Sequence, residues 1–491
     1  QTRNIAGAIG NNVNNQIKAN GGVKIANVMR YNDEYLNNYY RTQLSEYSKL
    51  GQQLEGLGDL ASILNDLEGT GIDGALSDFY KALNNLNEYP ASSTARINFI
   101  ETAKTLTSTM NSKYQQLQEN TTKALGDGVS QESLENSKIY VQYRELNNKL
   151  EELASVNKAL ITTQTGTLEA NNLLDKRDLI LNEIAEFTDI KVVEKHNGAV
   201  NLYIGDTAVV KCAEVTGKLE IQTAKSYCDS QNPPITYPDD WDGENAVISI
   251  VNPDTGEVIN KNANAQITSG VLGGLLHFAT DNGTGENGVN AATVIQSLDK
   301  LAQSIADIFN DLNTRNGAYC INPDDTTKLQ ATTADNLIFV GADGTGQGIT
   351  AGNIQINSDL LTDDGCWKIA CAYFGDPATN FDENAIGNAQ NVVDMLGTRT
   401  QKIADLDGMS LEDFYTGLVG KVASAGSNIK SLYETQGEVI NSIESKIKDA
   451  TGVDLNEELV DLVKYQTAYS AAAQVFNTCN SCLDVLMSLG G

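Results

Sequence analysis

The chain has 491 residues with 34 Lys and Arg against 64 Asp and Glu, a net charge of −30 with both histidines neutral. That balance excludes nucleic acid and anionic membranes as partners, because both draw their affinity from clustered Lys and Arg, and no such cluster occurs. With 41% hydrophobic residues, seven prolines and 6% aromatics, the composition describes several domains of long helices joined by polar turns, and two histidines leave little for acid–base chemistry, so no enzyme is expected.

In the first third of the chain, Ile72, Leu76, Phe79, Leu83 and Leu86 recur at helical spacing until Tyr89-Pro90 breaks the run. Ser92 or Ser93 can cap the next helix, whose stripe is Phe99, Ala103, Leu106, Met110, Tyr114 and Leu117 before Gly126 and Gly128. A third stripe joins Ile139, Tyr143, Leu146, Leu150, Leu153 and Leu160, and a fourth segment carries Leu174, Leu181 and Ile184. Four consecutive amphipathic helices predict a bundle.

From Ile190 the period changes to two, through Val192, Val200, Leu202 and Ile204, with Asn197-Gly198 reading as a tight hairpin turn. Short strand-like pieces continue to about Ile259. Val294, Leu298, Leu301, Ile305, Ile308 and Leu312 restore a helix, after which Gly317 starts a second strand-and-turn region to about Asn380. From Leu411 to Ile443 one apolar stripe is long enough for a coiled-coil-like rod. The predicted class is α+β and multi-domain: a long-helix bundle and rod assembled from N- and C-terminal segments, with inserted β-rich outer domains. The expected divisions are 1–35 a connector, 36–189 the first bundle part, 190–285 a β-rich insertion, 286–317 a bundle helix, 318–388 a second insertion, 389–450 the last bundle part and 451–491 a terminal helix.

The terminal helix differs from the others. Leu455, Leu459, Leu462, Tyr469, Phe476 and Leu483 make one stripe, while Tyr465, Val475 and Leu486 fall on a second. A helix apolar on two faces wants neighbours on both. No charge lies between Lys464 and Asp484, yet Gln466, Gln474, Asn477 and Asn480 are too polar for lipid, so protein neighbours in an assembly are expected.

Motifs for chemistry are incomplete. Gly283-x-Gly285-x-x-Gly288 matches a dinucleotide fingerprint but lacks the prompt second strand with an acidic ribose partner, and Gly346-x-Gly348-x-x-Ala351 lacks its helix. His196 and His277 lack zinc spacing, and Asp239, Asp240, Asp242 and Glu244 lack the calcium-loop pattern, so no metal or cofactor is expected. Seven cysteines, Cys212, Cys228, Cys320, Cys366, Cys371, Cys479 and Cys482, are spread too widely for a disulfide framework, and their pairing stays open. Cys479-x-x-Cys482 lies inside a helical pattern, where a thioredoxin-type site is not built. No stretch has the layout of a signal peptide, and nothing approaches about 18 uninterrupted apolar residues.

Several strings resemble one family. Gly452-Val453-Asp454-Leu455-Asn456-Glu457-Glu458-Leu459, running on through Val460 to Ala471, is similar to the terminal motif shared by rod, hook and junction proteins of the bacterial flagellum. Gly71-Ile72-Asp73-Gly74-Ala75-Leu76-Ser77-Asp78-Phe79 and Asn172-Leu173-Leu174-Asp175-Lys176-Arg177-Asp178 narrow the resemblance to the hook-filament junction proteins, also called flagellar hook-associated protein 1. The resemblance covers nearly the whole chain. It implies a secreted, non-enzymatic structural subunit on the extracellular flagellum, exported with an export chaperone and assembled into a ring of about eleven copies by the helical lattice of its family. The hook protein and a second hook-filament junction protein would be its neighbours, and the stripes around Leu455 to Leu486 would pack in the axial core. The family begins with a long amphipathic helix that this chain, opening on Gln1, is expected to have lost. The competing readings are another axial protein, hook or flagellin-like, and an exported protein with an active or adhesive outer domain.

Overall fold

The computed structural model describes residues 32–64, 71–238, 240, 243–279, 289–451 and 455–489. It opens with the helices α1 (Glu34–Leu64), α2 (Gly71–Glu88), α3 (Ser93–Leu125), α4 (Gln131–Glu135), α5 (Lys138–Thr162) and α6 (Leu168–Phe187). Tyr89-Pro90 follows the end of α2, and the Ser92 side chain accepts from the Ala95 amide to cap α3. A four-stranded antiparallel sheet follows in sequential order: β1 (Lys191–Glu194), β2 (Val200–Ile204), β3 (Thr207–Lys211) and β4 (Glu214–Val215). Its first connection turns through Asn197 and Gly198, both at positive φ (59° and 79°), a region that Asn and Gly enter most readily.

β5 (Lys218–Thr223), α7 (Ala224–Asp229), β6 (Ala246–Val251) and β7 (Val258–Asn260) add a three-stranded sheet, followed by α8 (Gly270–Ala279) and α9 (Ala291–Thr314). Asn290 and Thr293 close a reciprocal capping box at the start of α9. Then come β8 (Ala318–Asn322), β9 (Asp325–Ala331), β10 (Phe339–Val340), β11 (Gln355–Ile356) and β12 (Ala372–Tyr373), paired as β12-β8-β9 and β10-β11. The chain finishes with α10 (Pro377–Asn380), α11 (Gln390–Gly397), α12 (Leu411–Thr451) and α13 (Leu455–Leu489).

Two cores organise these elements. The first joins α1, α2, α3, α9 and α12 around Phe79, whose ring meets Phe309 at 4.9 Å and Phe99 at 5.1 Å. The second joins α5, α6 and α8 to both sheets of the first insertion, with Leu150, Leu153, Ile184, Leu202, Ile248 and Leu276 in one cluster. The strands of 190–285 therefore do not close a core of their own; they lean on α5. Two buried asparagines make that attachment. The Asn157 side chain bonds the amide and carbonyl of Val200 and the carbonyl of Cys212, and the Asn147 side chain bonds both backbone groups of Leu219.

The run Val271 to Phe278, inside the stretch expected to be β-rich, is helical. Gly273 and Gly274 let α8 lie close against its neighbours: a Cβ at Gly274 would stand 3.0 Å from the Lys49 carbonyl of α1, and one at Gly56 of α1 would stand 2.7 Å from the Phe278 ring. Among the described residues no helix is long and apolar enough to cross a membrane.

Candidate functional site

The first and last segments of the bundle are tied together by α1 and α12. Tyr40 donates to Glu444 at 3.1 Å, Gln436 bonds Gln43 at 2.7 Å, Tyr47 stacks on Tyr433 at 4.3 Å, and the Tyr415 hydroxyl donates to the Leu64 carbonyl at 3.3 Å. Residue numbers rise along one helix as they fall along the other, so the pair is antiparallel. The start of α1 consequently lies beside the end of α12, the end from which α13 departs.

Along α13 every described side chain from 459 to 485 is exposed, as is Met487. Of the residues expected to pack in an assembly, Leu459, Leu462, Tyr465, Tyr469, Val475, Phe476 and Leu483 are 52% to 79% exposed, and the side chains of Leu455 and Leu486 lie outside the described residues. Apolar side chains are spread around this helix rather than gathered on one side, because Val460, Val463, Val485 and Met487 are exposed as well. These four were missed by tracing two stripes. All four lie outside the uncharged stretch 465–483, beside Asp461, Lys464 and Asp484, where charge interrupts the apolar pattern. Elsewhere the long helices each bury a stripe: α12 hides Phe414, Leu418, Val422, Ala425 and Ile429 against the first core.

Residues weighed for chemistry sit apart. His277 is partly buried in the last turn of α8, where burial, and after it the Lys49 charge, holds its imidazole below the usual range. His196 lies in the β1–β2 turn, with its side chain outside the described residues. The glycines of the dinucleotide-like string at 283–288, and Asp239, Trp241 and Asp242, also lie outside the described residues. Gly346 and Gly348 fall in turns between β10 and β11, and Gly420-Lys421 is interior to α12. Among the described residues no group of three or more His, Cys, Asp or Glu is gathered as a metal would require. Cys479 and Cys482 are exposed thiols on α13.

The sequence profile described as "Flagellar basal body rod FlgEFG protein C-terminal" matches residues 449–489, which are the end of α12 and the exposed helix. A second, described as "Flagellar hook-associated protein FlgK helical domain", matches residues 57–319, more than half of the chain. This chain belongs to the flagellar hook-associated protein FlgK family. The family's role is structural, at the junction of hook and filament. Flagellar hook-associated protein 1 of Bacillus subtilis is 24% identical over 479 residues, covering 96% of this chain and 87% of that one. The proteins of that name from Salmonella typhimurium and Escherichia coli are 23% and 22% identical, each covering 95% of this chain and 90% of their own. The flagellar hook junction protein FlgK from Burkholderia pseudomallei superposes with a TM-score of 0.58 at 13% identity, over 85% of this chain and 100% of that structure, which shows a shared fold. The C-terminal profile carries the name of rod proteins and does not by itself give the FlgK family; the match over 57–319 does.

Proposed function

We propose that this chain is a non-enzymatic subunit of the extracellular flagellum that takes its place between hook and filament by packing α13 among neighbouring copies. The observation that carries the reading is α13 itself, a 35-residue helix whose described side chains, apolar ones included, face solvent on all sides. Burying Leu459, Leu462, Val475, Phe476 and Leu483 contributes about 1.5–3 kcal/mol each, on the order of 10 kcal/mol in all. That is of the same size as the roughly 4–15 kcal/mol that association costs in lost freedom. One covered face therefore does not suffice, and contacts on both sides of the helix are needed.

Charge supports the same arrangement. Copies that each carry −30 repel one another, and an element without charge over 465–483 is where they can approach. The partners in this reading are other copies in a ring of about eleven, the hook protein below, a second junction protein above, and an export chaperone before secretion.

Immunogold labelling of intact flagella with antibody against residues 190–380 tests the placement. A single band at the boundary of hook and filament is the expected result. Label along the whole hook or filament would place the chain in a neighbouring axial class, and no label on flagella would return it to the exported-enzyme or adhesin reading.

A further inference from the structure

Far from α13, Arg96 is completely buried beside the third sheet. Its Nε donates to the Pro90 carbonyl at 2.8 Å, and its Nη1 donates to the carbonyls of Ile369 at 2.7 Å and Cys366 at 3.3 Å. The Trp367 ring lies 5.6 Å from the guanidinium carbon, and Nη2 has no hydrogen-bond partner. Three buried free thiols, Cys320, Cys366 and Cys371, lie around this cation; burial pushes all three thiols up from their ordinary range, and the Arg96 charge offsets only part of that.

Strand register makes two of the three direct neighbours. In the antiparallel pair of β12 and β8, Ala372 stands opposite Tyr319 and Tyr373 opposite Ala318, and the Phe374 amide donates to the Gly317 carbonyl. The β12–β8 pairing ends at Ala372 and Tyr319; continued by one residue beyond β12, the same register sets Cys371 opposite Cys320. Because positions alternate, and 317 with 374 is a hydrogen-bonded pair, 320 with 371 is a non-hydrogen-bonded pair. Facing Cα atoms there are about 4.5 Å apart, inside the roughly 4.4–6.8 Å that a disulfide spans. Cys366 sits in the preceding helical turn, off the register. The sheet these cysteines join has a small cluster of its own, Ile321, Leu329 and Ala372, so a covalent staple has something to add.

We propose that Cys320 and Cys371 are a redox pair that closes to a cross-strand disulfide when the chain meets a low-molecular-weight disulfide. One thiol loses its proton and attacks the reagent, forming a mixed disulfide and expelling one reagent thiolate, which takes up that proton. The second cysteine then attacks the mixed disulfide, the protein S–S bond forms, and the second reagent thiolate departs with the second proton. Two cysteine thiols are oxidised and one reagent disulfide is reduced to two thiols. Burial of both sulfurs confines the reaction to the folding chain or to a transient opening of β12. The pairing is independent of the junction role and of where the protein resides.

The test uses the full chain, purified reduced, incubated with oxidised glutathione, alkylated in denaturant, and mapped by mass spectrometry after tryptic digestion without reduction. Lys328 and Lys368 place Cys320, Cys366 and Cys371 on three separate peptides. The expected product joins the Cys320 and Cys371 peptides at two hydrogens below their summed mass, with Cys366 alkylated, and Cys366→Ser leaves that link intact. Alkylated or glutathione-capped Cys320 and Cys371, or a link through Cys366, overturns the proposal.

Discussion

Tyr47 of α1 and Tyr433 of α12 lie face to face, with ring centroids 4.3 Å apart and planes 15° apart. The pair lies within the antiparallel contact that ties the first bundle segment to the last, between Gln43–Gln436 and Leu64–Tyr415. Stacked aromatic pairs contribute about 0.5–1.5 kcal/mol beyond the area they bury. A double-mutant cycle with Tyr47→Ala and Tyr433→Ala should therefore return a coupling of that size in urea unfolding. Additive losses would mean that the rings merely occupy the same surface.

Removing residues 452–491 should leave the melting temperature within about 2 °C of the full chain, since the described side chains of α13 are exposed and add nothing to either core. The same truncation should abolish incorporation into flagella. Calorimetry on the two chains separates these effects: a large drop in melting temperature would show that α13 packs within the monomer.

How far the sequence could be read follows from which forces leave a periodic trace. The stripes ending at Leu86 and Leu117, and the stripe through Leu150, correspond to α2, α3 and α5 because burial on one face imposes its spacing on the sequence. That residues 455–489 form a helix is legible for the same reason, since Leu455, Leu459 and Leu462 keep helical spacing. What the pattern did not disclose is how the strands attach. An Asn-rich composition reads as polar turns, yet Asn147, Asn157, Asn310, Asn313 and Asn391 are buried and their side chains bond strand or loop backbone. A single side chain bridging distant backbone groups has no period. The helix α8 was hidden similarly, since a run of apolar residues with two glycines is as compatible with a buried strand as with a helix packed closely on α1.

Asn157→Leu tests this use of asparagine. The substitution keeps the branching and the number of side-chain heavy atoms but leaves the Val200 amide and the carbonyls of Val200 and Cys212 without the bonds that Asn157 makes at 3.1, 3.0 and 2.7 Å. Each buried backbone group left unsatisfied costs about 1–3 kcal/mol, so a loss of about 2–4 kcal/mol is expected after partial relaxation. Denaturant titration measures it, and hydrogen exchange should show β2 and β3 opening before α5. A loss below about 1 kcal/mol would show that the strands are held by the Leu202 and Ile248 cluster alone.

Tyr80 supplies a pH dependence. Burial raises its phenol from the ordinary value of 10.0 to about 12, while its hydroxyl shares a 3.0 Å hydrogen bond with Thr398. The folded state thus holds this proton more tightly than the unfolded chain does. The associated stability is fully present below pH 10 and is lost as pH rises from 10 towards 12, because only the unfolded phenol ionises in that window. One proton corresponds to about 1.4 kcal/mol per pH unit, so the contribution to the alkaline slope is up to about 2–3 kcal/mol. Tyr80→Phe should be less stable than the wild type at neutral pH by about 0.5–1.5 kcal/mol, for the lost hydrogen bond. It should also unfold with a shallower dependence above pH 10. Equal slopes for the two proteins would assign the alkaline loss to other tyrosines, of which Tyr40, raised to about 12 by burial and by Glu444 beside it, is the next to replace.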